Sequence, residues 1–464
     1  MKLLAAQAPT PEQLRIIGET RPGIEIIRGA AGSGKTMTAL LRLKNLTDMF
    51  TARHTRLSLT DPVKALVLTY NRTLAGYVAE LAREQAAIRG NVSLDVDTFA
   101  HWASSRLGDP KVLSHRDSLI VPIASRLGLR LPQDFLLREV EYVLGRFPAT
   151  RIIEYLDSDR TGRGLSPRME RPARELLLTV IEQYKAELAR RGLLDWEDLA
   201  SLIDSLDSMN YEIAIIDEAQ DFSANQLRAV HHHLAPVSTL TLVLDTVQRL
   251  YPRGYTWAEL ELGNVRPRFH KLQQNHRNTV EIAHFTSSML QGVPLDDDGA
   301  LPDLSRASRR GPLPVIAVGL YNAQVRYAIH FIRTQVDLSS SSVAFLHPAG
   351  WFSFLRNALR EEGLPFVEIT REKDWPAGPA NIALSTMHSA KGLEFDHVII
   401  LGLSPDVTQH GQGEDDEQLV TLRRLLGMAV ARARETVTIG YKPGEMSDLL
   451  KYIKTGTYRE ISVD

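Results

Sequence analysis

The run GAAGSGKT, from Gly29 to Thr36, sets glycines, a lysine and a hydroxyl at the spacing of a phosphate-binding loop. Gly29, Gly32 and Gly34 let backbone N–H groups, that of Ser33 among them, approach phosphate oxygens. Lys35 reaches the β and γ oxygens, and the Thr36 hydroxyl coordinates magnesium. A chance glycine-rich turn is the alternative, but IEII before the run and the helix-like MTALLRLKNL after it supply the strand, loop and helix that the chemistry requires. A second apolar run, EIAII, leads directly into Asp217 and Glu218. Paired carboxylates at the end of a buried strand suit a magnesium ligand, Asp217, and a base, Glu218, that takes the proton from an attacking water. Alone, such a pair is more often a solvated strand end; beside a phosphate loop the metal reading is favoured. A third run, LTLVL, ends close to Gln248, whose neutral amide either orients water or serves only as a turn residue. The cofactors implied are ATP and Mg2+.

These residues need sheets to hold them. IEII from Ile24, EIAII from Glu212 and LTLVL from Leu240 lack polar alternation, as strands covered on both faces by helices do; VKALVLTY from Val63 and HVIILGL from His397 add two more. Strand signals resume at Val315 and in SVAFLHP from Ser342. Alternation with helix-length amphipathic stretches predicts an α/β architecture with parallel sheets. From Ser104 to Arg191 the texture is helical, rich in Arg and Leu, with a loop-like stretch from Arg160; the Arg-rich part of it is expected to be a solvated face. LDDDGALPDLSRASRRGPLP from Leu295 reads as a surface connection.

Composition narrows the class. The 464 residues carry 54 Lys+Arg against 56 Asp+Glu, a formal charge of -2, so any nucleic-acid surface must be a local stripe. With 44% hydrophobic and 24% charged residues, collagen, coiled-coil and disordered classes are excluded. The cysteine count of 0 removes disulfides, thiolate metal sites and cysteine nucleophiles together. No span approaches the roughly 20 apolar residues of a membrane helix, and the apolar run before Gln7 is too short for a signal segment. The cytoplasm is the expected compartment, with no membrane partner.

The ordered motifs resemble a superfamily 1 helicase of the UvrD/Rep/PcrA group. TPEQ from Thr10 resembles the adenine-reading Q motif, VLTYNRTLA from Val67 motif Ia, TFAHW from Thr98 motif Ib and IIDEAQDF from Ile215 motif II. LDTVQRLY from Leu244 resembles motif III, LQQNHRN from Leu272 motif IV, LSTMHSAKGLEF from Leu384 motif V and LLGMAVARARE from Leu425 motif VI, which is the most altered. The resemblance implies two RecA-like P-loop NTPase lobes with parallel sheets plus a small helical insertion. Residues 1–103 and 195–278 would form lobe 1A, 104–194 the insertion 1B, and 279–464 lobe 2A. The 2B domain that interrupts 2A in the family is absent, since REKDWPAGPAN from Arg371 can form only a loop.

Carried over by motif position, Gln13 reads adenine, Glu394 touches the ribose, and Arg277 and Arg432, from different domains, contact the γ-phosphate. There a guanidinium fork matches the charge spread over the transition state. His276 stands where the family has an adenine-stacking Tyr, which weakens the stack, and Met37 stands where an Arg is frequent. Strand-contact candidates are Tyr70, Arg72, Phe99, His101, Trp102, Tyr251, Thr386 and His388, with Trp257 as the replacement for a Trp whose place Arg253 occupies. Phe99 and Trp102 divide evenly between a groove role and the core, the commoner fate of such aromatics. The implied activity is translocation on single-stranded DNA, 3′ to 5′, with unwinding dependent on a partner, a nuclease or another protein. A nucleic-acid-activated ATPase switch that signals to a partner enzyme is the alternative, and RNA stays open as the strand. His231, His232 and His233 diverge too far on a helix to share one ion and read as a surface or tag-like accident, and Asp296 to Gly299 reads as a turn.

Overall fold

The computed structural model describes residues 8–29, 33–70, 72–82, 91–159, 169–245, 258–260, 262, 266–272, 278–293, 309–370, 375–376, 378–411 and 416–464. The apolar runs become the inner strands of two sheets. The first holds β1 (Gly23–Gly29), β2 (Val63–Thr69), β3 (Val92–Thr98), β4 (Tyr211–Ile216), β5 (Leu234–Asp245) and β6 (Arg268–Leu272), in the order β3-β2-β4-β5-β1-β6. The second holds β7 (Val315–Val318), β8 (Val343–His347), β9 (Phe366–Ile369), β10 (Ile382–Thr386), β11 (Phe395–Ile400), β12 (Ala433–Tyr441) and β13 (Arg459–Ser462), in the order β13-β7-β12-β11-β8-β10-β9. Every pairing is parallel. β4, β8 and β11 are buried along their whole length, as strands covered on both faces must be. The fold is thus α/β with two parallel sheets, as the sequence predicts.

Helices α1 (Pro11–Ile17), α2 (Lys35–Arg56), α3 (Arg72–Leu81) and α4 (Phe99–Arg106) belong to the first sheet; α5 (Asp117–Arg126), α6 (Gln133–Arg146) and α7 (Arg171–Arg191) build the insertion. The insertion has its own apolar cluster, in which Ile120, Val140, Val143, Tyr155, Leu177 and Tyr184 are buried. Within the Arg-rich stretch, Arg174 is not a solvated residue: its guanidinium donates to the carbonyls of Tyr155, Ser158 and Met169 and fastens the start of α7. Arg160 to Pro167 lies outside the described residues.

The chain then returns through α8 (Asp198–Asp204) and α9 (Ala224–His232), which pack Leu199, Ile203 and Leu227 against Ile26 and Leu66. α10 (Val280–Leu290), α11 (Tyr321–Gln335), α12 (Ser353–Glu361) and α13 (Glu417–Val430) accompany the second sheet. Between Ile369 and Ile382 the described residues form neither helix nor strand. The two sheets share one apolar cluster, in which Ile27, Val67 and Ile213 join Leu346, Ala383 and Val398. Trp375 sets its ring edge-on to Tyr77 at 4.9 Å, and the Thr73 hydroxyl donates to the Thr370 carbonyl.

Candidate functional site: a nucleotide site and two sheet edges

β1 delivers Gly29 to the loop, and α2 begins at Lys35 directly beyond it. Gly34 adopts φ +73, and a Cβ there would lie 2.4 Å from the Gln13 amide nitrogen, so only glycine fits. Gln13 is locked in place: its carbonyl accepts from the Thr10 N–H at 2.9 Å, and its amide donates to the Ser33 carbonyl at 3.1 Å. The residue expected to read adenine therefore also buttresses the phosphate loop. Ala30 to Gly32 lie outside the described residues.

The fully buried β4 carries Asp217 to the same place. The Thr36 hydroxyl donates to Asp217 Oδ2 at 2.8 Å, across the intervening β5. Burial and the adjacent Glu218 carboxylate push the Asp217 carboxyl up to about 7, although Thr36 and Lys35 oppose the shift. A buried carboxylate strained in this way, beside a hydroxyl and an ammonium, fits a magnesium ion that completes its shell with nucleotide phosphates. Among the described residues no group of three or more His, Asp or Glu is placed to hold a metal. Glu218 stands at φ +53, with the Gln220 amide donating to its Oε2.

The second sheet reaches this site through a lysine to which the sequence reading gives no role. Lys391, 2% exposed in the turn after β10, pairs with Asp221 and lies 3.9 Å from Glu218 Oε2. Burial alone would lower its pKa, but Asp221 and Glu218 beside it hold the ammonium above the ordinary lysine value. Its Nζ also sits 5.7 Å above the Tyr70 ring. The available signal is a lone lysine within the small and apolar residues of SAKGLEF.

Arg432 is 3% exposed, and its guanidinium donates to the Met428 and Leu393 carbonyls, so it rests on the turn that carries Lys391 and Glu394. The Asn278 amide donates to the carbonyls of Ala431 and Ala433, on either side of Arg432. Asn278, expected as the last residue of lobe 1A, is thereby fastened to the second sheet's unit. His276 and Arg277 lie outside the described residues, as do Gln248, Tyr251 and Trp257.

Residues 339–443 match the UvrD-like helicase C-terminal domain. The chain is UvrD/PcrA-like. A probable DNA helicase of Mycoplasma pneumoniae is 24% identical over 287 residues, 56% of this chain and 51% of the relative. The ATP-dependent DNA helicase PcrA of Staphylococcus aureus is 38% identical over 68 residues, 14% of this chain and 9% of PcrA. The chain spans about half the length of the first of these curated relatives. A solved structure, the C-terminal domain of a possible DNA helicase from Lactobacillus plantarum, overlaps 40% of this chain and 98% of that domain at 22% identity and a TM-score of 0.31.

In this UvrD-like chain the expected strand contacts divide. Tyr70 and Arg72 follow β2, and His101, on the first turn of α4, bonds Asp97 at 2.5 Å and keeps an exposed face. Phe99 and Trp102 are corrected to core residues: Trp102 is 1% exposed, donates to the Tyr211 hydroxyl at 3.2 Å and packs beside Phe99 and His233. Both rings join the apolar cluster of Ile26, Leu66, Leu199 and Ile203. Thr386 ends β10 and His388 follows it, at the carboxyl edge of the second sheet, and both are half-buried. His233 is likewise corrected from a surface accident to a structural residue, since it is fully buried and its Nε2 meets the Ile203 carbonyl at 2.8 Å. Asp296 to Gly299 lies outside the described residues. No helix among the described residues is long and apolar enough to cross a membrane.

Proposed function

We propose that this chain is an ATP-driven motor that tracks single-stranded DNA from 3′ to 5′, with the phosphate chemistry on the first lobe and the closing cations on the second. The observation that supports it most is the contact of Lys391 with Asp221 and Glu218, which ties the turn carrying the expected strand contacts to the expected catalytic carboxylate. Thr36 and Asp217 would hold magnesium, which neutralises charge on the β and γ oxygens. Lys35 binds the same oxygens, and Glu218 accepts a proton from the attacking water at a carboxylate oxygen. Arg432, joined by Arg277, stabilises charge on the transferring phosphoryl group as the lobes close.

In this reading lobe 1A comprises residues 1–103 and 195–278, 1B is the helical insertion 104–194, and 2A is 279–464 without a 2B domain. Lacking that surface, the chain translocates on strands but unwinds long duplex poorly unless a partner docks. The test compares ATPase stimulation by single-stranded DNA, duplex DNA and RNA, then displacement of a protein block placed at either end of a strand. Strand stimulation with directional displacement is expected. Stimulation without displacement from either end would leave a switch instead.

A further inference from the structure

Two aromatics expected to stack on bases lie in the first lobe's core, yet a different tryptophan stands open at the second sheet's carboxyl edge. We propose that Trp351, backed by His347, forms a base-stacking platform for a single strand; the inference rests on the strand-tracking reading above and adds a contact to it. In open parallel sheets ligands bind outside the carboxyl ends of the strands, and β8 ends here beside β10, with His347 in register with Thr386.

The platform is built rather than incidental. Trp351 is 61% exposed, the most open tryptophan among the described residues, while His347 beneath it is 5% exposed. Their ring centroids lie 5.7 Å apart with 31° between planes, so the imidazole supports the indole from below. His347 Nδ1 accepts from the N–H groups of Ala349 at 3.1 Å and Trp351 at 3.3 Å, which fixes the loop from the inside. Burial pushes the imidazole down to about 4, so it stays neutral and keeps Nδ1 as an acceptor at neutral pH. Gly350, at φ +72, brings the loop against Thr386: a Cβ there would meet the Thr386 methyl at 3.1 Å. A rigid indole on a loop held against Thr386 offers what a sequence-tolerant strand site needs, since every base has a π-face.

The exposed Phe354 and Leu320 nearby make a protein-docking face the rival. Position favours the strand, because the loop that carries Trp351 meets Thr386 at Gly350, at the sheet edge rather than on the outer face of a helix.

The test uses the full chain, with Trp351→Ala and Trp351→Phe, and measures affinity for an oligo-dT strand and for the same strand carrying abasic sugars. Loss of the stack should weaken binding of the base-bearing strand by about 5- to 100-fold in Trp351→Ala, with little change on the abasic strand and most affinity regained in Trp351→Phe. Quenching of tryptophan emission by oligo-dT should fall in Trp351→Phe. Unchanged oligo-dT affinity in Trp351→Ala, or an equal loss on both strands, overturns the platform. A self-associated species that Trp351→Ala dissolves while strand affinity stays fixed also overturns it and assigns the face to protein. A wild-type chain that binds no strand defeats the motor reading itself, which separates the two failures.

Discussion

At the carboxyl edge of the first sheet, β4 runs into the buried Asp217 and Glu218, with the shielded side chain of Asp221 nearby, and these are held by a hydroxyl, an amide or the lysine opposite. At the same edge of the second sheet, β8 runs into a neutral histidine and an open indole, and β10 into the turn that carries Lys391. One edge is acidic and the other supplies cations and aromatic surface. Buried carboxylates without counter-charges are costly, and the second lobe provides one of them directly. In the proposed motor neither lobe alone holds a complete site, so bringing the edges together and neutralising the acids would be parts of one event.

The sharpest way to break this division is to remove the second lobe's finger. Arg432→Ala should lower kcat by about 10³-fold or more while ATP affinity changes far less, because the guanidinium meets its full charge only in the transition state. Turnover and nucleotide binding measured on the same preparation decide it; wild-type turnover would show that the altered motif VI no longer supplies a finger. Glu218→Gln tests the acidic edge, with an expected loss of about 10²- to 10⁴-fold and ATP still bound. Lys35→Ala should lose binding as well, so a binding titration separates the two roles.

Lys391→Met probes the junction itself. Its removal leaves Asp221 and Glu218 buried without the opposite charge, and the link from the strand-contact turn to the carboxylate is lost. Strand-stimulated turnover should fall about 10-fold or more, on the scale of a lost buried charge partner, whereas hydrolysis without a strand should fall less. Equal losses in both assays would make Lys391 a structural residue only.

The acidic edge was legible in the sequence because phosphate chemistry leaves local marks. Glycines, Lys35 and Thr36 must be adjacent, and Asp217 must end a strand that reads as continuously apolar. The inner strands were legible for the same reason, since burial on both faces removes polar alternation. The second edge was not, because its parts come together only in space: His347 ends β8 and meets Thr386 through strand pairing, Trp351 lies in the loop beyond it, and Lys391 gains its partners from the other sheet. Motif position left Phe99 and Trp102 divided between groove and core, and only the packing of α4 places both in the core. The Asn278 bonds to the Ala431 and Ala433 carbonyls are equally a matter of tertiary placement.

The smallest expected effect concerns a buried acid away from the phosphate site and sharpens the comparison by acting as its control. Glu197 is 9% exposed at the root of the insertion, where burial and the neighbouring Glu141 and Asp195 push its carboxyl up to about 7; Arg116 opposes them, as does the Ser223 hydroxyl, which donates to it at 3.0 Å. No phosphate or lysine offsets this charge as Lys391 offsets Asp221. With the folded pKa above the unfolded value, the protonated form is the one the fold prefers. Its contribution is therefore complete below about pH 4.5 and is lost as pH rises towards 7. Glu197→Gln keeps an oxygen for Ser223 and carries no charge, so it should remove that loss. The variant should match the wild type near pH 4.5 and exceed it by on the order of 1 to 3 kcal/mol above pH 7, read from denaturant unfolding across that range. Parallel pH profiles for the two proteins would mean that Glu197 is already neutralised by Arg116, and the contrast between a functional and an incidental buried acid would fail at this position.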